Sequence, residues 1–121
     1  VFGVQSRLLA DWGDVYREII EPGAVTQEDL DRFDIKMTIW HNRERLLARS
    51  NRGQGTLKLT VDETGVHYSF EAPDTPDGAT GLELVKRGDL TGSSFTFWSD
   101  ETTSVSCTKD AEGVTICKPD R

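Results

Sequence analysis

The sequence predicts an α+β fold, a compact antiparallel, β-barrel-like sheet carrying two short helices. Three observations lead there. Short runs of alternating apolar and polar residues recur along the chain, and two of them flank a Gly-containing loop. Two other segments open with helix-capping residues. The chain has 121 residues, enough for one hydrophobic core but not two. It therefore reads as a single domain over residues 1–121. The expectation is that it is cut short at both ends, because an apolar strand pattern starts at Val1 and another stops just before the C-terminus.

Each element has its own signal. Val1-Phe2-Gly3-Val4 reads as an opening strand, and Val15 to Ile20 is an apolar-rich run closed by the turn pair Pro22-Gly23. Thr26-Gln27-Glu28-Asp29 is a capping-box variant that starts a helix running to about Phe33. Lys36 to Trp40 reads as a strand with Met37 and Ile39 on one face, and Arg52-Gly53-Gln54-Gly55 as a turn. Thr56–Val61 alternates with Leu57, Leu59 and Val61 inward. Val66–Phe70 alternates with Val66, Tyr68 and Phe70 on one face, and Asp62–Gly65 joins the two runs as a hairpin. Thr75 and Pro76 suit the N-cap and first position of a second helix that Gly88 ends. Leu82, Val85 and Leu84 are its expected core contacts, while Gly78 and Gly81 weaken it by up to about 1 kcal/mol each. Ser94–Trp98 reads as a strand with Phe95 and Phe97 on one face. Val105–Cys107 and Val114–Ile116 read as a last hairpin.

Composition excludes several functions. Fourteen Lys and Arg against 21 Asp and Glu give a net charge of -7. Such a surface repels phosphate backbones and anionic headgroups, so neither nucleic acid nor membrane is an expected partner. No apolar run approaches the roughly 20 residues of a bilayer span, and no stretch has the basic-then-apolar layout of an export signal. Cys107 and Cys117 could face each other across the last hairpin, but the expectation is that they stay reduced. Two His and two Cys at these spacings match no zinc pattern, so neither a metal nor a cofactor is expected.

Few residues can carry chemistry. His41 sits at a strand end before the polar loop Asn42-Arg43-Glu44-Arg45, a position suited to proton transfer. His67 alternates with Val66 and Tyr68 and belongs on the solvated face. Ser94 follows Gly92-Ser93, where a turn can present a hydroxyl, where Gly92 lets another backbone come close, and where backbone N–H groups can serve an oxyanion. A serine nucleophile needs a base, which here means His41 or His67. The Gly-x-Ser-x-Gly elbow is absent, since position 96 is Thr. The carboxylates form no glycosidase-type pair, and Arg52–Gly55 lacks the rest of a phosphate loop.

Four segments, in order, carry a resemblance. They are Tyr16–Ala24; Trp40-His41-Asn42 with Arg49 and Gly55-Thr56-Leu57; Glu71–Thr75; and Leu84–Phe97, which contains Gly92-Ser93-Ser94-Phe95. Together they resemble the prohead protease family of tailed bacteriophages, capsid-maturation serine proteases related in fold to herpesvirus assemblin. The likeness spans almost the whole chain. It implies a herpesvirus-protease-like fold and a serine endopeptidase that cleaves scaffold or capsid-protein segments, and itself, during prohead maturation. The place implied is the host cytoplasm, inside the assembling procapsid. The partners implied are the major capsid protein or scaffold as substrate, and possible further copies of the chain. His41 and Ser94 fall on the family's catalytic pair. Arg49 matches a family position and is a candidate for oxyanion support. The family's third member lies in a segment expected after Arg121, with Asp100 or Glu101 as substitutes within this chain. Ser93 stands where the family usually has an apolar residue. Strand alternation keeps Ser94, rather than Ser93, on the site side.

Two other readings compete. One is a non-catalytic capsid-assembly or scaffold-binding module with the same fold. The other is an unrelated small β-rich binding domain, which would leave His41 and Ser94 far apart.

Overall fold

The computed structural model describes residues 2–3, 9–11, 14–96, 105–112 and 115–119. In chain order its elements are β1 (Leu9–Asp11), β2 (Asp14–Glu18), α1 (Gln27–Arg32), β3 (Asp34–Thr38), β4 (Leu46–Asn51) and β5 (Gln54–Gly55). Then come β6 (Lys58–Val61), β7 (Val66–Ser69), α2 (Pro76–Arg87), β8 (Val105–Lys109) and β9 (Thr115–Pro119). The content is mixed α and β, with two helices, as expected. The described strands form three separate sheets, of four, three and two strands, and no closed barrel. This corrects the barrel-like expectation. Closure needs every strand paired on both edges with matched stagger, and among the described strands β1, β8, β3, β5, β6 and β7 are each paired on one edge.

The chain divides into two compact units. One comprises Val1–Thr26, Val61–Val66 and Trp98–Arg121. Its sheet has the order β1-β2-β9-β8. β1 and β2 are antiparallel, as are β8 and β9, but β2 and β9 run parallel, with Tyr16 opposite Thr115 and Glu18 opposite Cys117. Phe2 and Gly3 lie in a turn rather than in the opening strand expected of them. Their amides donate to the carbonyls of Thr64 and Ile20. The last hairpin is present. Its register sets Cys107 directly opposite Cys117, with the Cα atoms 4.1 Å apart, and the two sulfurs are bonded. This corrects the expectation of reduced thiols. That expectation came from a general rule about compartments, whereas register alone brings the two side chains together.

The other unit comprises Gln27–Thr60 and His67–Phe97. Its sheet is β3-β4-β5, antiparallel throughout. Along β4 the side chains alternate, with Ala48 and Ser50 buried and Arg49 exposed. Arg52 and Gly53, both at positive φ, make the two-residue turn from β4 to β5, so the turn read at Arg52–Gly55 begins there. Leu30 of α1, Ile39, Ala48 and Leu57 are buried and form this unit's core. β6 and β7 form the expected hairpin. At its turn, whose residues Asp62–Gly65 belong to the first unit, the Asp62 amide donates to the Gly65 carbonyl, and Asp62 Oδ1 accepts from Thr64 and Gly65.

The ends of α2 follow the capping residues. Thr75 Oγ1 accepts from the Gly78 amide at 3.1 Å, and Pro76 takes the first helical position. Gly88, left-handed at φ 78°, closes the helix. Its amide donates to the Val85 carbonyl and the Asp89 amide to that of Leu84, the double bond of a Schellman cap. The packed face differs from the expected one. Leu82 and Val85 are 47% and 59% exposed, while Gly78 and Gly81 are buried. A methyl on Gly81 would lie 3.6 Å from Ile39 and 3.8 Å from Leu47, and one on Gly78 would collide with the Pro73 carbonyl. Gly78 lets the first turn of the helix lie against the Pro73 carbonyl, whereas Gly81 leaves room for a methyl against Ile39 and Leu47.

Candidate active site

Two loops of one unit form the site. The first is the β3–β4 connection. A register shift between Met37 and Thr38 leaves Leu47 as an extra residue in β4, and a bulge of this kind re-aims the neighbouring side chains. Ile39, 3% exposed, anchors the loop in the core. The Asn42 amide donates to the Ile39 carbonyl across Trp40 and His41, whose φ angles are 52° and 56°. Two adjacent left-handed residues mark a mirror-image tight turn. Neither residue is glycine, and the left-handed region costs roughly 1–2 kcal/mol per ordinary residue. Strain of this kind gathers at functional positions. The imidazole of His41 is thus displayed from the second central position of the turn.

The turn is tied to α2. The guanidinium of Arg45 lies 5.3 Å from the Trp40 ring centroid and donates through Nε to Asp77 Oδ1 at 2.9 Å. Asp77 is in the first turn of α2, where a carboxylate is favoured by the helix dipole.

The second loop is the segment after the Gly88 cap. Residues 91–96 have no regular secondary structure, so the strand expected from Ser94 onward is not formed over its described part. Phe97 and Trp98 lie outside the described residues. Phe95 is exposed. Within this segment Ser94 and Thr96 both reach His41, as residues two apart on one side of a chain can. The hydroxyl of Ser94 is hydrogen-bonded to His41 Nε2. Thr96 Oγ1 lies 3.0 Å from His41 Nδ1. Both ring nitrogens therefore have a hydroxyl partner, and the serine that meets the ring is Ser94 rather than Ser93.

The remaining predicted residues lie elsewhere or outside the described residues. Asp100 and Glu101 are among the latter. Arg49 on β4 is engaged by Asp34, with Nε to Oδ1 and Nη2 to Oδ2 both at 2.7 Å. Lys36 donates to the same carboxylate at 3.0 Å. The bonds from Arg49, and then from Lys36, hold the Asp34 carboxyl far below the usual carboxylate range. His67 is exposed on β7. A methyl on Gly92 would meet nothing within 4 Å. Among the described residues no group of three or more His, Cys, Asp or Glu could hold a metal ion, and no helix is long and apolar enough to cross a membrane.

Thr96, Arg45 and Asp77 were not singled out from sequence. A signal for Thr96 did exist, since the alternation that favours Ser94 over Ser93 also puts Thr96 on the side of Ser94. His41, Ser94 and Thr96 are all exposed. A shallow groove lined by Leu30, Asp31, Ser50 and Leu57 includes none of them.

A family model described as caudovirus prohead serine protease matches residues 1–118 of the chain. No curated protein and no solved structure matches it.

Proposed function

The chain belongs to the caudovirus prohead serine protease family, and from that premise we propose that it is a serine endopeptidase acting through Ser94 and His41. The observation that carries this reading is the hydrogen bond between Ser94 Oγ and His41 Nε2. A serine hydroxyl is a weak nucleophile until an adjacent base takes its proton, and Nε2 is where that base must stand.

The proposed sequence is acyl transfer. Ser94 Oγ attacks the scissile carbonyl carbon as its proton passes to His41 Nε2. The carbonyl oxygen becomes an oxyanion, held by backbone N–H groups of the Gly92–Ser94 segment. The imidazolium then protonates the leaving amine, and the peptide bond breaks to leave an acyl ester on Ser94. Water, deprotonated by the same imidazole, attacks the ester and releases the acid.

The family's association with the prohead supports capsid or scaffold proteins as the substrates, and the interior of the procapsid as the place of action. Cleavage of the chain itself belongs to the same proposal, as does a herpesvirus-protease-like fold. The match over residues 1–118 supports reading residues 1–121 as one protease domain.

The test is an intact-mass time course of the capsid or scaffold protein mixed with wild-type protease or with Ser94→Ala. Fragments from the wild type alone are expected. Equal processing by both would remove Ser94 from the role. No processing by either folded protein would favour a capsid-assembly module.

A further inference from the structure

The tautomer of His41 decides whether the pair can work. For Nε2 to take the Ser94 proton it must carry a lone pair, so the ring proton must sit on Nδ1. A protonated Nδ1 needs an acceptor. In this structure Nδ1 faces Thr96 Oγ1 at 3.0 Å, and a hydroxyl oxygen can accept there while turning its own hydrogen elsewhere. The opposite arrangement, with Thr96 donating to Nδ1, would put the ring proton on Nε2 and leave it unable to act on Ser94.

We propose that Thr96 is a positioning residue that accepts from Nδ1–H of His41, fixing the imidazole in the tautomer and orientation that Ser94 requires. The assignment rests on the Ser94–His41 reading above. Ser94 and Thr96 are separated by one residue, so a single short segment holds both ring nitrogens. Pair and partner are set together when residues 94–96 lie against His41. The ring is displayed on a turn with two left-handed residues, so its direction is already restricted, and Thr96 restricts its rotation. A neutral hydroxyl stabilises the imidazolium less than a carboxylate would. Its loss is therefore expected to cost less than the roughly 10⁴-fold seen when a triad aspartate is made neutral.

The test uses the complete protein, its capsid or scaffold substrate and ¹⁵N-labelled histidine. Five forms are compared: wild type, Ser94→Ala, Thr96→Val, Thr96→Ala and Thr96→Ser. Thr96 is exposed, so unfolding is not expected, and Thr96→Ala is a second variant that removes the hydroxyl without a branched side chain. Thr96→Val and Thr96→Ala are expected to lower kcat by about ten- to a hundred-fold, as removing the partner that orients a metal-bound histidine does, with KM unchanged. Thr96→Ser should return kcat to within a few-fold of wild type. In the ¹⁵N spectrum, neutral His41 should be protonated on Nδ1 in the wild type, Ser94→Ala and Thr96→Ser, and shift toward the other tautomer in Thr96→Val.

Wild-type kcat in both Thr96→Val and Thr96→Ala, or Nε2 protonation in the wild type, would overturn the assignment of Thr96 alone. Processing by Ser94→Ala at the wild-type rate would overturn the Ser94–His41 reading, and the role of Thr96 with it.

Discussion

His41 and Ser94, 53 residues apart in sequence, meet through Nε2 and Oγ. If they act as one unit, removing either removes the whole. Ser94→Ala and His41→Ala should each lower turnover by about 10⁶-fold, and the double substitution should lower it no further. Steady-state or single-turnover cleavage of the capsid or scaffold substrate measures this. A double variant slower by the product of the two single effects would mean that the residues act independently.

Gly78 and Gly81 share the buried face of α2 but not the same surroundings. A methyl at Gly81 meets Ile39 and Leu47 at ordinary contact distance. Gly81→Ala should therefore stabilise the chain by up to about 1 kcal/mol through helix propensity. A methyl at Gly78 collides with the Pro73 carbonyl. Gly78→Ala should destabilise by about 1–3 kcal/mol, the usual cost of overpacking. Thermal unfolding of the two variants should shift in opposite directions.

Lys36 and Arg49 stand directly opposite each other on β3 and β4, and Asp34 bridges both. Like charges in that register destabilise, so Asp34 offsets a cost built into the sheet. Its folded pKa lies below its unfolded value. The contribution is therefore complete above the usual carboxylate pKa of about 3.9, and is lost as the pH falls through the lower folded value. Urea midpoints of wild type and Asp34→Asn should differ by a constant amount from pH 7 to 5 and converge in strong acid. The difference should shrink in high salt, because these groups are exposed. A difference that grows toward low pH would contradict this.

The Cys107–Cys117 bond joins positions separated by 10 residues. Closing a loop of that size restricts the unfolded chain by about 2–3 kcal/mol. Cys107→Ser with Cys117→Ser should lower unfolding stability by about that amount, and reductant should reproduce the loss in the wild type. Alkylation of two free thiols in the native, unreduced protein would contradict the bond.

Where local chemistry dictates the backbone, the residues were legible. Thr75, Pro76 and Gly88 mark both ends of α2, and Asp62–Gly65 marks a hairpin. His41 and Ser94 were singled out by the family resemblance, because a strand-end His and a Gly-x-Ser segment among eight serines do not by themselves mark a pair. The packed face of α2 was not legible. Leu82 and Val85 carry the apolar signal, but the buried positions of α2 are Gly78 and Gly81, and glycines leave no hydrophobic periodicity. Sheet closure was not legible either, because alternation specifies the faces of a strand and not its partners. The expected strand at Ser94 failed over its described part, where Ser94 and Thr96 turn to His41 and not to a neighbouring strand.

The proposed function stands on Ser94 being a nucleophile made reactive by His41. The most direct measurement is covalent labelling with a fluorophosphonate, which reacts with activated serines, followed by peptide mass mapping. The expected result is one adduct on Ser94 in the wild type, no adduct in Ser94→Ala, and labelling in His41→Ala slowed to the rate of an ordinary serine. An adduct on Ser93, or equal labelling of Ser94 with and without His41, would contradict it.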